Sequence, residues 1–248
     1  MTTTSRARSF DAAAAVYAAN RPSYPPALMD AIEELAGFAL EGARVADVGA
    51  GTGLGTALLH ARGARVTAVE PGDGMAAEFR RSLPRVPLVR GDGNHLPLRS
   101  GSTDLVTYAQ AWHWTDPDRS VPEVRRVLRP GGALALWWND SDADVPWIAA
   151  QDARLRRFLG AEETEPDAEG FTRGLPAGLD FATRRLRWSR RVPLDAHLAN
   201  IGSHSDFLVI GQDAARRFLA PERELLAAVF PDGVVEESYA VSLAVARC

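Results

Sequence analysis

The sequence predicts an α/β fold built on a doubly wound sheet, and three observations carry that prediction. Short β-branched runs alternate with amphipathic stretches, a glycine-rich turn follows the first run, and acids stand where the second and third runs end. Strands alternating with helices imply parallel neighbours, right-handed crossovers and helices on both faces of the sheet. Ligands in such sheets sit at the carboxyl ends of the strands.

Taken in order, two helices are expected before residue 40, separated by "NRPSYPP", whose prolines block helix continuation. "RVADVG" reads as the first strand and Leu54 to Ala61 as a helix. "RVTAVE" is the second strand, followed by a helix from about Gly74 to Ser82; "VPLVRGD" and "TDLVTYAQA" supply the third and fourth strands. "SVPEVRRVL" shows a capping-box pattern from Ser120 to Glu123, with Pro122 in the first turn, where proline is tolerated. The glycines of "PGG" then turn the chain into a fifth strand, "ALALWW". Beyond Asn139 come a helix with Trp147, Leu155 and Phe158, a loop rich in Glu, Pro and Gly, and a strand near Phe181 to Val192. Two helical stretches and a last strand, "VVEESYAVSLAVAR", complete the chain. The sum is a Rossmann-like sheet of seven strands, mostly parallel with the last antiparallel, carrying helical lid segments. Residues 1–248 are expected to form one domain: a helical lid over 1–40, a cofactor-binding core over 41–139, and a substrate-side cap with closing strands over 140–248.

Composition narrows the function. The hydrophobic share of 46% and charged share of 24% suit a soluble globular chain. No run approaches the roughly 18 apolar residues of a membrane span. The opening "MTTTSRARSFDAAAAVY" has no apolar core before a cleavage site, so no secretory signal is expected. The single cysteine, Cys248, fits a reducing compartment, and the expected location is the cytoplasm. All 28 basic residues are arginine, which excludes mechanisms that need a lysine. A net charge of -4 argues against a nucleic-acid partner. The arginine-rich "RRLRWSRR" reads as a strand with Leu186 and Trp188 inward and Arg185 and Arg187 in water. The five histidines are scattered; His197 and His204 have no third ligand in view, so no metal is expected and a solvated helix face is the reading for both.

The glycine turn, "VADVGAGTGLG" over residues 45–55, fits neither register of the dinucleotide pattern G-x-G-x-x-G, because Leu54 or Thr56 takes the sixth place. A phosphate loop would need lysine. What remains is Asp47, Gly49, Gly51 and Gly53, with Glu70 at the end of the second strand and Asp92 at the end of the third. A carboxylate at Glu70 can accept both hydroxyls of a ribose, and one at Asp92 can accept from an adenine amino group.

This ordered set resembles the class I S-adenosylmethionine-dependent methyltransferases. "VADVGAGTG", "VEPGDGM", "GDGNHLPL", "TDLV" and "RVLRPGG" appear in sequence over residues 43–138. "FDAAAAVYAANRPSYPPAL", "AQAWHW", "SHSDFLVIG" and "SYAVSLAVAR" are similar to a narrower group, the type 11 and trans-aconitate-type small-molecule methyltransferases. The resemblance implies S-adenosyl-L-methionine as cofactor and a small-molecule acceptor methylated on oxygen, carboxylate, nitrogen or carbon. It implies that Gly49, Gly51 and Gly53 line the methionine part, that Asp47 orients their loop or reaches the cofactor amino group through water, and that Glu70 holds the ribose. Asp92, with Gly93, would meet the adenine amino group, Met75 would pack on the adenine face, and Gln110 stands where the fourth strand opens toward the donor methyl. Tyr17 and Arg21 belong to the expected lid touching the cofactor, and Arg21 or Tyr24 can also bind a carboxylate. His113 in "AQAWHWTD" is the candidate general base, with ordering of the loop between Trp112 and Trp114 as its structural alternative. Rival functions are a non-catalytic cofactor-binding protein of this fold and a methyltransferase acting on a macromolecule.

Overall fold

The computed structural model of the chain describes residues 20–160 and 174–248. The first expected N-terminal helix, and Tyr17 with it, lies outside the described residues. From Ala27 to Ala36 the chain forms α1, amphipathic and closed by Gly37 in the left-handed conformation. β1 (Arg44–Val48), α2 (Leu54–Ala61), β2 (Arg65–Glu70), α3 (Asp73–Ser82), β3 (Leu88–Arg90) and β4 (Thr103–Ala109) follow. After a 3-10 turn at Trp112–Trp114 come α4 (Pro117–Val127), β5 (Leu128–Ser141) and α5 (Pro146–Leu159). β6 (Phe181–Pro193), α6 (Leu194–Gly202), α7 (Ser205–Ile210), α8 (Gln212–Val229) and β7 (Val234–Arg247) close the chain.

The seven strands form one sheet in the order β3-β2-β1-β4-β5-β7-β6. β1 pairs in parallel with β2 and β4, β2 with β3, and β4 with β5. β7 runs antiparallel between β5 and β6. The expected seven strands with an antiparallel last one are therefore present, and the last strand is inserted one place in from the edge. The inner parallel strands β1, β2, β4 and β5 are buried on both faces, as helices on both sides require, while β3 at the edge is only half-buried. One face packs Val45, Leu105, Trp137 and Leu243 against Leu28, Ile32, Leu59 and Phe79 of α1, α2 and α3. The other packs Val48, Val106 and Leu136 against Val124 and Val127 of α4. On β6, Leu186 and Trp188 are half-buried and Arg185 and Arg187 exposed, as the alternation predicts. Both arginines pair with Asp142, so their charges are met within the fold.

Two boundaries differ from the sequence reading. α4 begins at Pro117 rather than Ser120, because Asp116 caps it by accepting the Asp118 amide at 3.1 Å and Pro117 takes the first helical place. The supposed capping residues serve elsewhere. Ser120 donates to Asn94 at 3.0 Å, and Glu123 accepts the Leu96 amide at 2.8 Å and pairs with Arg126. β5 begins before the glycines, at Leu128, and its pairing with β4 jumps from Thr103↔Leu128 to Leu105↔Ala133. The intervening Pro130, Gly131 and Gly132 absorb the shift, with Gly131 at φ 77°.

Candidate active site

The glycine turn leaves β1 at its carboxyl end with Gly49, Gly51 and Gly53 all at positive φ, 67°, 58° and 96°. Each is glycine for its own reason. A Cβ on Gly49 would lie 2.5 Å from that of Ala111, and one on Gly53 would press on Leu83 and Phe79 at 2.8 and 3.0 Å. A Cβ on Gly51 would meet nothing closer than 4.0 Å, so it would project into open space at the strand ends. Beside it, the Thr52 hydroxyl is buried without a hydrogen-bond partner.

Asp47 lies beneath this turn, fully buried. Its Oδ2 accepts the Thr56 hydroxyl at 2.5 Å and its Oδ1 the Thr107 hydroxyl at 2.7 Å, tying β1 to α2 and β4. Burial raises its pKa to about 6, although the two hydroxyls pull it back. An acid whose native pKa exceeds its unfolded value of 3.8 costs the folded state more as it ionises. Stability from this group is therefore greatest below about pH 4 and falls as pH rises toward 6. Asp47→Asn should accordingly gain on the parent chain as pH increases from 4 to 6, then hold a constant advantage. Thermal unfolding of both chains across that range checks this; an advantage that does not change with pH would show that Asp47 ionises normally.

Glu70, 5% exposed, ends β2. Its Oε2 accepts the Gly51 amide at 2.8 Å and its Oε1 the Gly72 amide at 2.7 Å. One carboxylate therefore fixes the glycine turn against the start of α3, where Met75 is buried. Asp92 is exposed after β3, and its Oδ1 accepts the Asn94 amide at 2.8 Å. Gly93 is buried where a Cβ would strike Thr115 and Tyr108 at 2.7 and 3.0 Å. Gln110 follows β4 at φ 53°, the only non-glycine residue with positive φ among the described residues, held by its amide on the Trp137 carbonyl at 2.8 Å. Strained backbone of this kind gathers at functional sites.

The aromatic residues divide between core and site. Trp137 and Trp112 are buried, Tyr24 meets Trp137 edge-on at 5.8 Å, and Trp138, Trp114 and Trp147 are half-buried. His113 is exposed, and partial desolvation of its ring lowers its pKa. Its Nδ1 accepts the Trp138 indole N–H at 3.4 Å, and the ring lies 4.6 Å from that of Trp114. Arg21 is half-buried, near enough to His204 that, after burial itself, its charge helps push that imidazole down to about 3.

One cluster escaped the sequence reading. His197, expected on a solvated helix face, is 5% exposed. Its Nδ1 meets Glu237 at 2.7 Å and its Nε2 meets Gln151 at 3.1 Å. Glu237 also accepts from Arg190 at 2.6 Å and from the Tyr239 hydroxyl at 2.8 Å. Burial alone would raise the Glu237 pKa, but these bonds hold it at about 2. Among the described residues no group of three potential metal ligands is present.

The comparisons with known proteins agree with this geometry. A methyltransferase-domain family model matches residues 46–136. An uncharacterized methyltransferase of Mycobacterium tuberculosis is 45% identical over 220 residues, 88% of this chain and 86% of its own length. A demethylmenaquinone methyltransferase of Beutenbergia cavernae is 35% identical over 163 residues, 65% of each chain. Among solved structures, a protein from Anaeromyxobacter dehalogenans named as a type II methyltransferase superposes with a TM-score of 0.71 at 28% identity, covering 92% of this chain and 97% of its own.

Proposed function

The chain belongs to the class I methyltransferases, and from that premise we propose that it transfers a methyl group from S-adenosylmethionine to a small-molecule acceptor in the cytoplasm. The observation that carries the cofactor assignment is the glycine turn. Gly51 leaves open space where a side chain would stand, the Thr52 hydroxyl there has no partner, and Glu70 braces the turn from below. These residues fit an S-adenosyl group. Gly49, Gly51 and Gly53 would admit its methionine part, and each Glu70 oxygen can accept from a ribose hydroxyl besides the amide it already holds. Asp92 and Gly93 would meet the adenine, with Met75 against its face, while Gln110 and Arg21 would close the site. Asp47, engaged by Thr56 and Thr107, supports the loop from beneath. The bound cofactor supplies an electrophilic methyl group, so this chain has to align the acceptor and exclude water.

The acceptor would enter over the ends of β4 and β5, where Trp138, Trp114 and His113 meet. The negative charge and the small-molecule relative support a small acceptor over a nucleic acid. For His113, the contact with Trp138 favours ordering of the wall over proton removal, because the indole N–H occupies the nitrogen lone pair a base would use. His113→Ala should therefore lower turnover by about tenfold at most, well below the usual 10²–10⁴-fold for a lost general base. The rate of the parent chain should show no ionisation from this residue between pH 6 and 8. A larger loss together with a vanished titration would restore the base.

Two glycine variants test the cofactor assignment. Gly51→Ala should cost only about 1–2 kcal/mol of stability, the strain of its left-handed backbone, but weaken S-adenosylhomocysteine binding at least about tenfold by filling the open space. Gly49→Ala should instead destabilise the fold through its collision with Ala111. Full affinity in a folded Gly51→Ala chain would contradict the assignment.

A further inference from the structure

The sheet face that carries Trp137 continues past the carboxyl ends of the parallel strands. Alternation along β5, β6 and β7 puts Asn139, Trp188, Arg190, Glu237 and Tyr239 on it. Asn139 is 7% exposed, and its carboxamide has a determined orientation. The Trp188 indole has only a hydrogen to offer, so the amide oxygen must face it, at 2.9 Å. The Asn139 Nδ2 group therefore points away, buried and without a hydrogen-bond partner. Asn200, 5% exposed on α6, is fixed in the opposite sense. The Tyr239 hydroxyl gives its proton to Glu237, so it accepts from Asn200 Nδ2 at 3.2 Å, and Asn200 Oδ1 is left buried without a partner. A buried amide arm with no partner costs the fold its full desolvation. Two of them stand beside an aromatic pair whose rings stack at 5.1 Å, one an unmet donor and the other an unmet acceptor.

We propose that Asn139 determines acceptor specificity, its Nδ2 group donating to a carbonyl or carboxylate oxygen of the acceptor. The position supports this: Asn139 lies two residues beyond Trp137, on the same face, where β5 runs past the end of β4 at Ala109. Trp188 holds the amide in place and offers a flat wall beside it. Arg21, close to His204 in the same quarter, adds positive charge that suits an oxygen-rich ligand. The assignment rests on the methyl-transfer reading.

Benzoate, benzamide and toluene share a ring and differ in the oxygen they present, so they serve as probes. Each is titrated into the full chain saturated with S-adenosylhomocysteine, and the side-chain amide resonances of Asn139 are followed by proton–nitrogen NMR. Benzoate or benzamide should move those resonances saturably, and toluene should not. A preference for benzoate identifies a carboxylate, a preference for benzamide a neutral carbonyl. Asn139→Ala should weaken the preferred probe about tenfold, the share of one hydrogen bond to an otherwise unmet donor. Unmoved resonances with both oxygen-bearing probes, or toluene binding as well as they do, would overturn the proposal on the parent chain alone. Unchanged affinity in Asn139→Ala would do the same. A chain that takes up no S-adenosylhomocysteine would instead overturn the methyl-transfer reading, and this assignment with it.

Discussion

Glu70→Ala should weaken S-adenosylhomocysteine binding by about 10²–10³-fold, more than the loss of one contact. A hydrogen bond to a charged group contributes about 1.5–3 kcal/mol, and the proposed ribose hydroxyls would both bond to this carboxylate. The same carboxylate holds the Gly51 and Gly72 amides, so its removal also releases the turn that should admit the methionine part. Isothermal calorimetry reads the affinity, and circular dichroism confirms that the variant is folded. A folded variant within about threefold of the parent would remove Glu70 from the site and reduce it to a loop brace.

Glu237→Ala should cost about 3–5 kcal/mol of stability, because it leaves the Arg190 guanidinium without its carboxylate and strips two further buried partners, His197 and Tyr239. Urea unfolding at pH 7 measures the loss, and Glu237→Gln should lose less, since its amide oxygen still accepts. The pH dependence has a definite sign. The native pKa of about 2 lies below the ordinary 4.5, so the stabilisation is complete above pH 4.5 and disappears as pH falls toward 2. A loss under about 1 kcal/mol would mean that the cluster adds nothing beyond an apolar filling of the same volume.

What the sequence made legible follows from the range of each interaction. The glycine turn, Glu70 and the strand alternation were readable because local geometry sets them: a turn after a strand needs positive φ, and an acid at a strand end faces the same edge whatever lies beyond. The start of α4 was misplaced because two cap signals stand four residues apart, and Asp116-Pro117 overrides Ser120. The cluster around Glu237 was hidden by distance along the chain. Gln151, Arg190 and His197 reach it across more than 35 residues, and only the insertion of β7 between β5 and β6 brings them together. A signal was present nonetheless. In "VVEESYAVSLAVAR", Glu237 and Tyr239 share the inward parity of Val235, Val241 and Leu243. A carboxylate in an apolar row needs buried partners. The orphaned arms of Asn139 and Asn200 could not be read from sequence, because an unmet hydrogen bond is a property of three-dimensional neighbours alone.

The central claim is that the turn from Gly49 to Gly53 is shaped for an S-adenosyl group and not for a dinucleotide. Calorimetric titration of the parent chain with S-adenosylhomocysteine and, separately, with NAD tests it most directly. The structure predicts saturable binding of S-adenosylhomocysteine at one site per chain and no measurable heat with NAD; saturable NAD binding, or none of S-adenosylhomocysteine, would contradict it.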